Sequence, residues 1–305
     1  MLMQVKAASN CSLHANMSRV SLIKGQNRRE MTRRSLEVIA DDIKQHLSSH
    51  QPVIKPNFVS PTIQLASSHV DHIRGILDFL SSIYQGTIVI AEASCYDTRE
   101  AYRNFGYLDL IREYPVELVD LNDGPFENIT VTSGDGITLN LRTARLLLDS
   151  SKYIISAAKM KTHDTVIVSL SIKNLAMGSI FSGDKKSVHQ GIKETNKCMA
   201  DIAKHIWPDL SIIDGFEGME GDGPSRGEEV PLGIAISSTD ALAADRVGCE
   251  IMGVDLHDVG YLHYCAERGL GEADLKKIEV LGERISDCIR PFRLHRHVRK
   301  QYVWK

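Results

Sequence analysis

KYIISAAKMKTHDTVIVSLSIKNLAMG, residues 152–178, joins a largely apolar run to a cluster of lysine, histidine and asparagine. Its opening, KYIISAAKM, reads as a buried strand. Lys159, Lys161 and His163 fall where that strand ends, and Lys173 and Asn174 follow the apolar VIVSLSI. Removing a charged amine from water is costly, so lysines in such surroundings need a partner or a task.

Working outward from this stretch, strand and helix patterns alternate. SRVSLIKG, residues 18–25, reads as a strand. REMTRRSLEVIADDIKQHL reads as a helix whose Leu36, Ile39, Ala40, Ile43 and Leu47 form one apolar face. QPVIKPNF is a short strand-like run, HVDHIRGILDFLSSIYQ a second amphipathic helix and TIVIAEAS another strand. DTREAYRNFG is a helix opening at an Asp97 or Thr98 cap and ending at Gly106. VELVDLN is a strand, and ITVTSGDGITLNL a hairpin about Gly-Asp-Gly. Downstream, NKCMADIAKHIWPD is a helix stopped by Pro208, and LSIIDGFEGM a strand entering an acidic glycine loop. VPLGIAIS is a strand, ALAADRVGCEIMG a helix and KKIEVLG the last strand. The alternation predicts an α/β fold with a largely parallel sheet and helices on both faces, in one body or in two lobes about a cleft with a boundary near residue 195. Residues 1–17 read as an N-terminal extension and 18–285 as the α/β region. Residues 286–305 read as a basic aromatic tail, expected to be a solvated arm or an oligomer contact.

With 305 residues the chain can build one large core or two moderate ones. A net charge of −3 gives no pull toward nucleic acid or anionic membrane. No apolar run approaches the roughly 20 residues of a membrane span, and the N-terminus lacks a basic-then-apolar signal pattern. The six cysteines are scattered without a CxxC pair, so neither a zinc ribbon nor an iron–sulfur cluster is expected. The expectation is a cytoplasmic protein, able to form a homo-oligomer, whose partner is a small anionic substrate or cofactor.

In open α/β sheets, ligands sit beyond the carboxyl ends of the strands. Lys55 and Asn57 close VIKPNF, and Glu92, Ser94 and Asp97 close IVIAEAS. Lys159, Lys161 and His163 close YIISAAKMKTH, and Asp214 and Glu217 close SIIDGFEG. Together they predict one polar mouth, although Glu92 and Asp97 serve equally well as caps or turn residues. His163, Lys161 and Asp97 are the catalytic candidates; Lys173, Asn174, Lys55 and Asn57 are the cofactor-binding ones. A buried Lys173 would have a lowered pKa and act as a nucleophile or covalent tether; an unburied one would snorkel to the surface. His189 is a candidate metal ligand. DGFEGMEGDGPSRG, residues 214–227, offers Asp214, Glu217 and Asp222 to a divalent ion, or forms a mobile acidic lid. Three functions fit: cofactor-dependent proton or hydride movement on a hydroxy or oxo acid, Mg²⁺-dependent chemistry on a phosphate ester, or capture of a small anion without chemistry.

KPNFVSP, IVIAEAS with FGY after it, AKMKTH, SLSIKNLAMG, His189, WPDLSIIDGFEGMEGDGPSRG and LGIAISSTDALAADRVGCEIMG occur in that order. The series resembles the uncharacterised family called domain of unknown function 362, from about Ser18 to about Gly271. Many members of that family add a cysteine-rich ferredoxin segment, which this series of motifs lacks. More remotely, His163, Lys173 and His189 resemble the lactate racemases that use a nickel-pincer nucleotide, with the same steps of ten and sixteen residues. That resemblance implies an acid–base role for His163, a cofactor tether at Lys173 and a nickel ligand at His189. The racemases carry a second acid–base histidine after their third strand. SCYDTR has none, so Asp97 or Tyr96 would substitute, or a two-base reaction is absent.

Overall fold

The computed structural model describes residues 17–47 and 50–305; the expected N-terminal extension, apart from its last residue, lies outside the described residues. Its strands are β1 (Ser18–Lys24), β2 (Gln51–Lys55), β3 (Ile88–Glu92), β4 (Val116–Asp120), β5 (Phe126–Thr132), β6 (Thr138–Ala144), β7 (Lys152–His163), β8 (Ile167–Ser169), β9 (Leu210–Glu220), β10 (Glu228–Ser238) and β11 (Ile278–Gly282). The main sheet has nine strands in the order β11-β1-β10-β9-β7-β2-β3-β4, with β8 folded back on β7. β9, β7, β2, β3 and β4 run parallel. β10 is antiparallel to both β9 and β1, and β1 is parallel to β11. The sheet is therefore mixed but mostly parallel. The hairpin predicted about Gly-Asp-Gly is the separate pair β5-β6.

The apolar stretch of β7 is explained by the burial of both its faces. Successive side chains point to opposite faces of a strand. Tyr153, Ile155 and Ala157 enter the core beneath the helices Arg28–Val38, Ala40–Leu47 and Val70–Ser81. Ile154, Ala158 and Met160 enter the core beneath Ser171–Gly178, Ile192–His205 and Ala241–Ile251. Each fully buried aliphatic side chain contributes about 1.5–3 kcal/mol, so both faces hold this strand at the sheet centre. Residue 195 falls within a helix, and strands on either side of it in sequence share the one sheet.

The apolar VIVSLSI, which its composition fits to a strand or a helix core, divides between the two: Ile167–Ser169 pairs antiparallel to Lys161–His163, and Ser171–Gly178 is helical. The cause is a distant cap. The Asp245 carboxylate accepts the N–H groups of Ser171 (2.8 Å) and Ile172 (3.0 Å), satisfying donors that a helix start leaves unpaired. The acidic segment is strand as far as Glu220, and only the turn to β10 is loop. The basic tail is no free arm, because Phe292, Gln301 and Trp304 are buried against the body.

Candidate active site

β2, β3 and β7 are neighbours, and their carboxyl ends open into a cavity of about 160 Å³. The helix Ser171–Gly178 closes one side of it. That helix packs so tightly that a Cβ on Gly178 would lie 1.7 Å from Lys55 Cε.

Part of the predicted polar mouth is wall. Lys55 Nζ donates to Glu92 Oε2 (2.9 Å), Asn174 Oδ1 (2.9 Å) and the Pro56 carbonyl (2.7 Å), which uses all three ammonium donors. Glu92 also accepts from the Phe58 and Ala93 N–H groups. Asn174 spends its amide on the Lys55 carbonyl and Ser156 Oγ. Burial lowers the Lys55 pKa, and Glu92 opposes the fall. Lys161 is completely buried and donates to Asn57 Oδ1 and the Ala66 carbonyl. Burial, then Lys173 and Lys159, push its pKa well below the ordinary lysine value. A neutral amine has two N–H donors, and these two acceptors match them. Lys161 thus pins the 57–66 segment to β7 and does not line the cavity.

The groups left facing the cavity include His163, Lys173 and His189. Lys173 is 9% exposed and has no hydrogen-bond or ion-pair partner among the described residues. Burial lowers its pKa from 10.5 to about 8, with Asp164 opposing. Burial also holds His163 well below the usual histidine value, helped by Lys173 and His189. His163 Nδ1 lies 3.1 Å from the Thr165 N–H and 3.1 Å from Asp164 Oδ1. A backbone N–H requires a lone pair on Nδ1, whereas a carboxylate requires a proton there. The Thr165 N–H makes the hydrogen bond, so the neutral ring carries its proton on Nε2, while Asp164 lies at ion-pair distance and becomes a partner when the ring is protonated. His189 Nδ1 lies 2.8 Å from the Lys185 carbonyl, which can only accept. Its Nδ1 therefore carries the proton and its Nε2 a free lone pair. Burial lowers the His189 pKa as well.

Among the thiol and amine groups that line the cavity, Cys95 and Lys185 escaped the sequence reading. Cys95 lies three residues past Glu92, the last residue of β3, in the segment that contributed Ser94 and Asp97 to the reading. Lys185, close before His189, donates to the Ala93 carbonyl; its position beside His189 in DKKSVHQG was the available signal. Asp97 lies outside the cavity: its carboxylate caps the helix Thr98–Asn104 by accepting from the Glu100 N–H, 2.9 Å away. Tyr96 is 63% exposed, so neither residue supplies a second base in the cavity.

The acidic residues do not converge as a metal set. Arg28 bonds Glu217 at 2.9 Å, stacks on Phe216 and reaches Asp214. Asp214 Oδ2 lies 3.3 Å from Arg28 and 3.5 Å from Lys159, close enough for attraction but without a well-angled hydrogen bond. Burial would raise the Asp214 pKa, but Lys159, His72 and Arg28 together pull it low. Asp222 pairs with Arg296, which lowers its pKa to about 2. Asp214 and Glu217 are held by Arg28 and Asp222 by Arg296, which leaves no shared oxygen cage, and no group of three His, Cys, Asp or Glu side chains suited to a metal occurs among the described residues.

A metal carried by an organic group is a different case. It needs one imidazole lone pair and one anchoring amine, and His189 Nε2 and Lys173 Nζ fit that pair. The cavity is smaller than the roughly 300–1,000 Å³ of drug-sized sites. It suits a small acid or the reactive head of a cofactor rather than a whole nucleotide. A larger groove of about 710 Å³ lies near the opposite strand ends, beside Gln51 and Lys152. None of the cavity's histidines and lysines reaches it, so the smaller cavity is the candidate site.

Among the described residues no helix is long and apolar enough to cross a membrane. The chain is 30% identical over 161 residues to a thylakoid-associated protein of Synechocystis sp., which covers 52% of this chain and 48% of that protein. It thus spans about half the length of the curated relative it matches. A lactate racemase apoprotein from Thermoanaerobacterium thermosaccharolyticum gives a TM-score of 0.48 at 15% identity, covering 78% of this chain and 57% of that one. A protein from Thermotoga maritima gives 0.44 at 13% identity, over 75% and 60%. Neither structural likeness is close enough to transfer chemistry. Residues 53–250, a span containing every cavity residue, match the family described as a domain of unknown function (DUF362), and the chain belongs to that family.

Proposed function

We propose that the cavity is the active site of an enzyme that moves a proton or hydride at a carbon of a small hydroxy acid, with a cofactor joined to Lys173 and held through its metal by His189. The observation that carries this reading is the meeting of His163, Lys173 and His189 in one cavity, with Lys173 buried and unpartnered among the described residues. The cavity favours an anion. Lys173 and Lys185 line it, while its single carboxylate, Glu92, is engaged by Lys55.

The cofactor would supply the electron sink. The remaining work falls to the chain. Turning Nδ1–H to Asp164 in place of the Thr165 N–H would give His163 a basic Nε2 that can take the substrate hydroxyl proton. Asp164 steadies the resulting imidazolium. With pKa about 8, roughly a tenth of Lys173 is neutral at pH 7, which provides the nucleophile for a tether. A reducing, cytoplasmic setting belongs to the same proposal and is supported by five unpaired cysteines among the described residues.

The test is coexpression with enzymes that make a nickel-pincer nucleotide, followed by elemental analysis, intact mass and racemisation assays on short 2-hydroxy acids. Retained nickel, an adduct lost in Lys173→Ala, and turnover lost in His163→Gln are expected. No metal and an unmodified Lys173 would remove the reading. A capture protein without chemistry is the second reading, favoured by the number of polar side chains spent on the walls. Such a protein would bind a small carboxylate equally well after His163→Gln and turn over nothing before it.

A further inference from the structure

We infer that Gln301, in the C-terminal tail, is a positioning residue for His163, and that residues 286–305 form a clasp setting the geometry of that ring. The inference rests on His163 being the acid–base group of the proposed site. Gln301 is 1% exposed. Its Oε1 accepts the Ile167 N–H at 2.6 Å, and its Nε2 donates to the His163 carbonyl at 3.1 Å. One side-chain amide thus bridges the last pair of the β7-β8 ladder, His163 and Ile167.

The bridged turn is strained. Ile167 has a φ of 67°, a left-handed conformation that a β-branched side chain rarely adopts. The hydrogen bond from its N–H to Gln301 is part of what holds it there. Between the two bridged residues lie Asp164 and Thr165, whose carboxylate and N–H compete for His163 Nδ1. A shift of the turn changes both distances together. Gln301 therefore acts on the choice between donor and base at Nε2 without touching the ring.

The tail is tied on both sides of this amide. Upstream, the Gly221 N–H donates to the Arg293 carbonyl at 2.6 Å, the Arg293 N–H donates to Glu220 at 2.9 Å, and Arg296 pairs with Asp222. Downstream, Trp304 Nε1 donates to the Asp258 carbonyl at 2.9 Å. The turn after β9 is seated equally closely: a Cβ on Gly223 would lie 2.1 Å from the Thr162 carbonyl oxygen. Pro224 of that turn lines the cavity beside His163. The clasp joins two elements of the mouth that share no sequence neighbourhood.

The experiment uses the full chain with ¹⁵N-labelled histidine. The His163 ring signals are assigned by their loss in His163→Gln and followed with pH in wild type, Gln301→Met, Gln301→Glu and Arg296→Ala. Methionine keeps the bulk and loses both bonds. Glutamate keeps the acceptor for Ile167 and loses the donor. Gln301→Met should change the ring's tautomer balance and raise its carbethoxylation rate about tenfold, as local opening does. Gln301→Glu should fall between that variant and wild type, and Arg296→Ala, which removes one outer tie of the tail to Asp222, should fall there too. If Gln301→Met melts cooperatively with an unchanged ring, Gln301 is only structural and the inference falls. If Gln301→Met does not fold, Gln301→Glu decides in the same way. The readout needs no substrate, so failure of the proposed reaction leaves it interpretable.

Discussion

Replacing Lys173 by methionine should stabilise the protein. The side chains have similar bulk, and the amine has no partner among the described residues to lose. The fall in pKa from 10.5 to about 8 corresponds to a penalty of about 3 kcal/mol for keeping the ammonium in the folded state. The folded chain binds the proton more weakly than the unfolded chain, so between these two values unfolding takes up protons and wild-type stability rises with pH. Below about pH 8 both states are charged and the penalty is present in full. Lys173→Met should therefore melt higher than wild type at pH 7, by about 6 °C at roughly 2 °C per kcal/mol. The gap should close as pH rises through 8 toward 10.5. Thermal melts by circular dichroism from pH 6 to 10 measure it. A small dicarboxylate such as oxalate should narrow the gap at pH 7 if it binds beside the amine. A variant that melts below wild type at pH 7, or a gap that does not vary with pH, would refute the reasoning.

Two further substitutions probe the frame around that amine. Glu92→Gln leaves Lys55 buried without its counter-charge, and should lower the unfolding free energy by about 3–5 kcal/mol; a urea midpoint equal to wild type would mean that Lys55 is neutral or finds another partner. Asp245→Asn tests the cap of the site helix: burial raises the Asp245 pKa to about 7, with the N–H bonds from Ile172 and Ser171 opposing. The folded chain holds this proton more tightly than the unfolded one, so the group's stabilising contribution is full below its unfolded pKa of about 4 and is lost as pH rises to about 7; melts of the asparagine variant should lack that decline, and parallel profiles would contradict it.

What could be read from the sequence depended on the distance over which the cause acts. The alternation of strands and helices is local, and β7 shows both of its buried faces in its own residues. The strand-end rule likewise brought Lys55, Asn57 and His163 to one mouth. The features that escaped depend on remote partners. VIVSLSI fits a strand or a helix core by composition, and its helical half starts at a carboxylate 74 positions away. Asp214 looked available to a metal because Arg28, which occupies it, lies 186 positions away. Gln301 sits in a segment of basic, mixed residues with no pattern, yet it bonds a residue 138 positions earlier. No local periodicity encodes such pairings.

The lysines differ in what their burial accomplishes, and the difference separates wall from site. Lys55 has three acceptors, one of them charged, and Lys161 has two. Lys159 lies beside Asp214. For each, burial is offset by contacts within the fold, so substitution should act first on stability. Lys173 has no such offset, and its solvation loss is not recovered in the free protein. An anion, or a covalent bond that removes the charge, would recover it. The same comparison applies to the imidazoles. His189 directs Nδ1 to a carbonyl and keeps Nε2 open, while His163 divides Nδ1 between a donor and an acceptor it cannot satisfy together. The groups with unspent bonding capacity, His163, Lys173 and His189, therefore all line the cavity, beside the engaged Lys55, Glu92 and Asn174 that frame it.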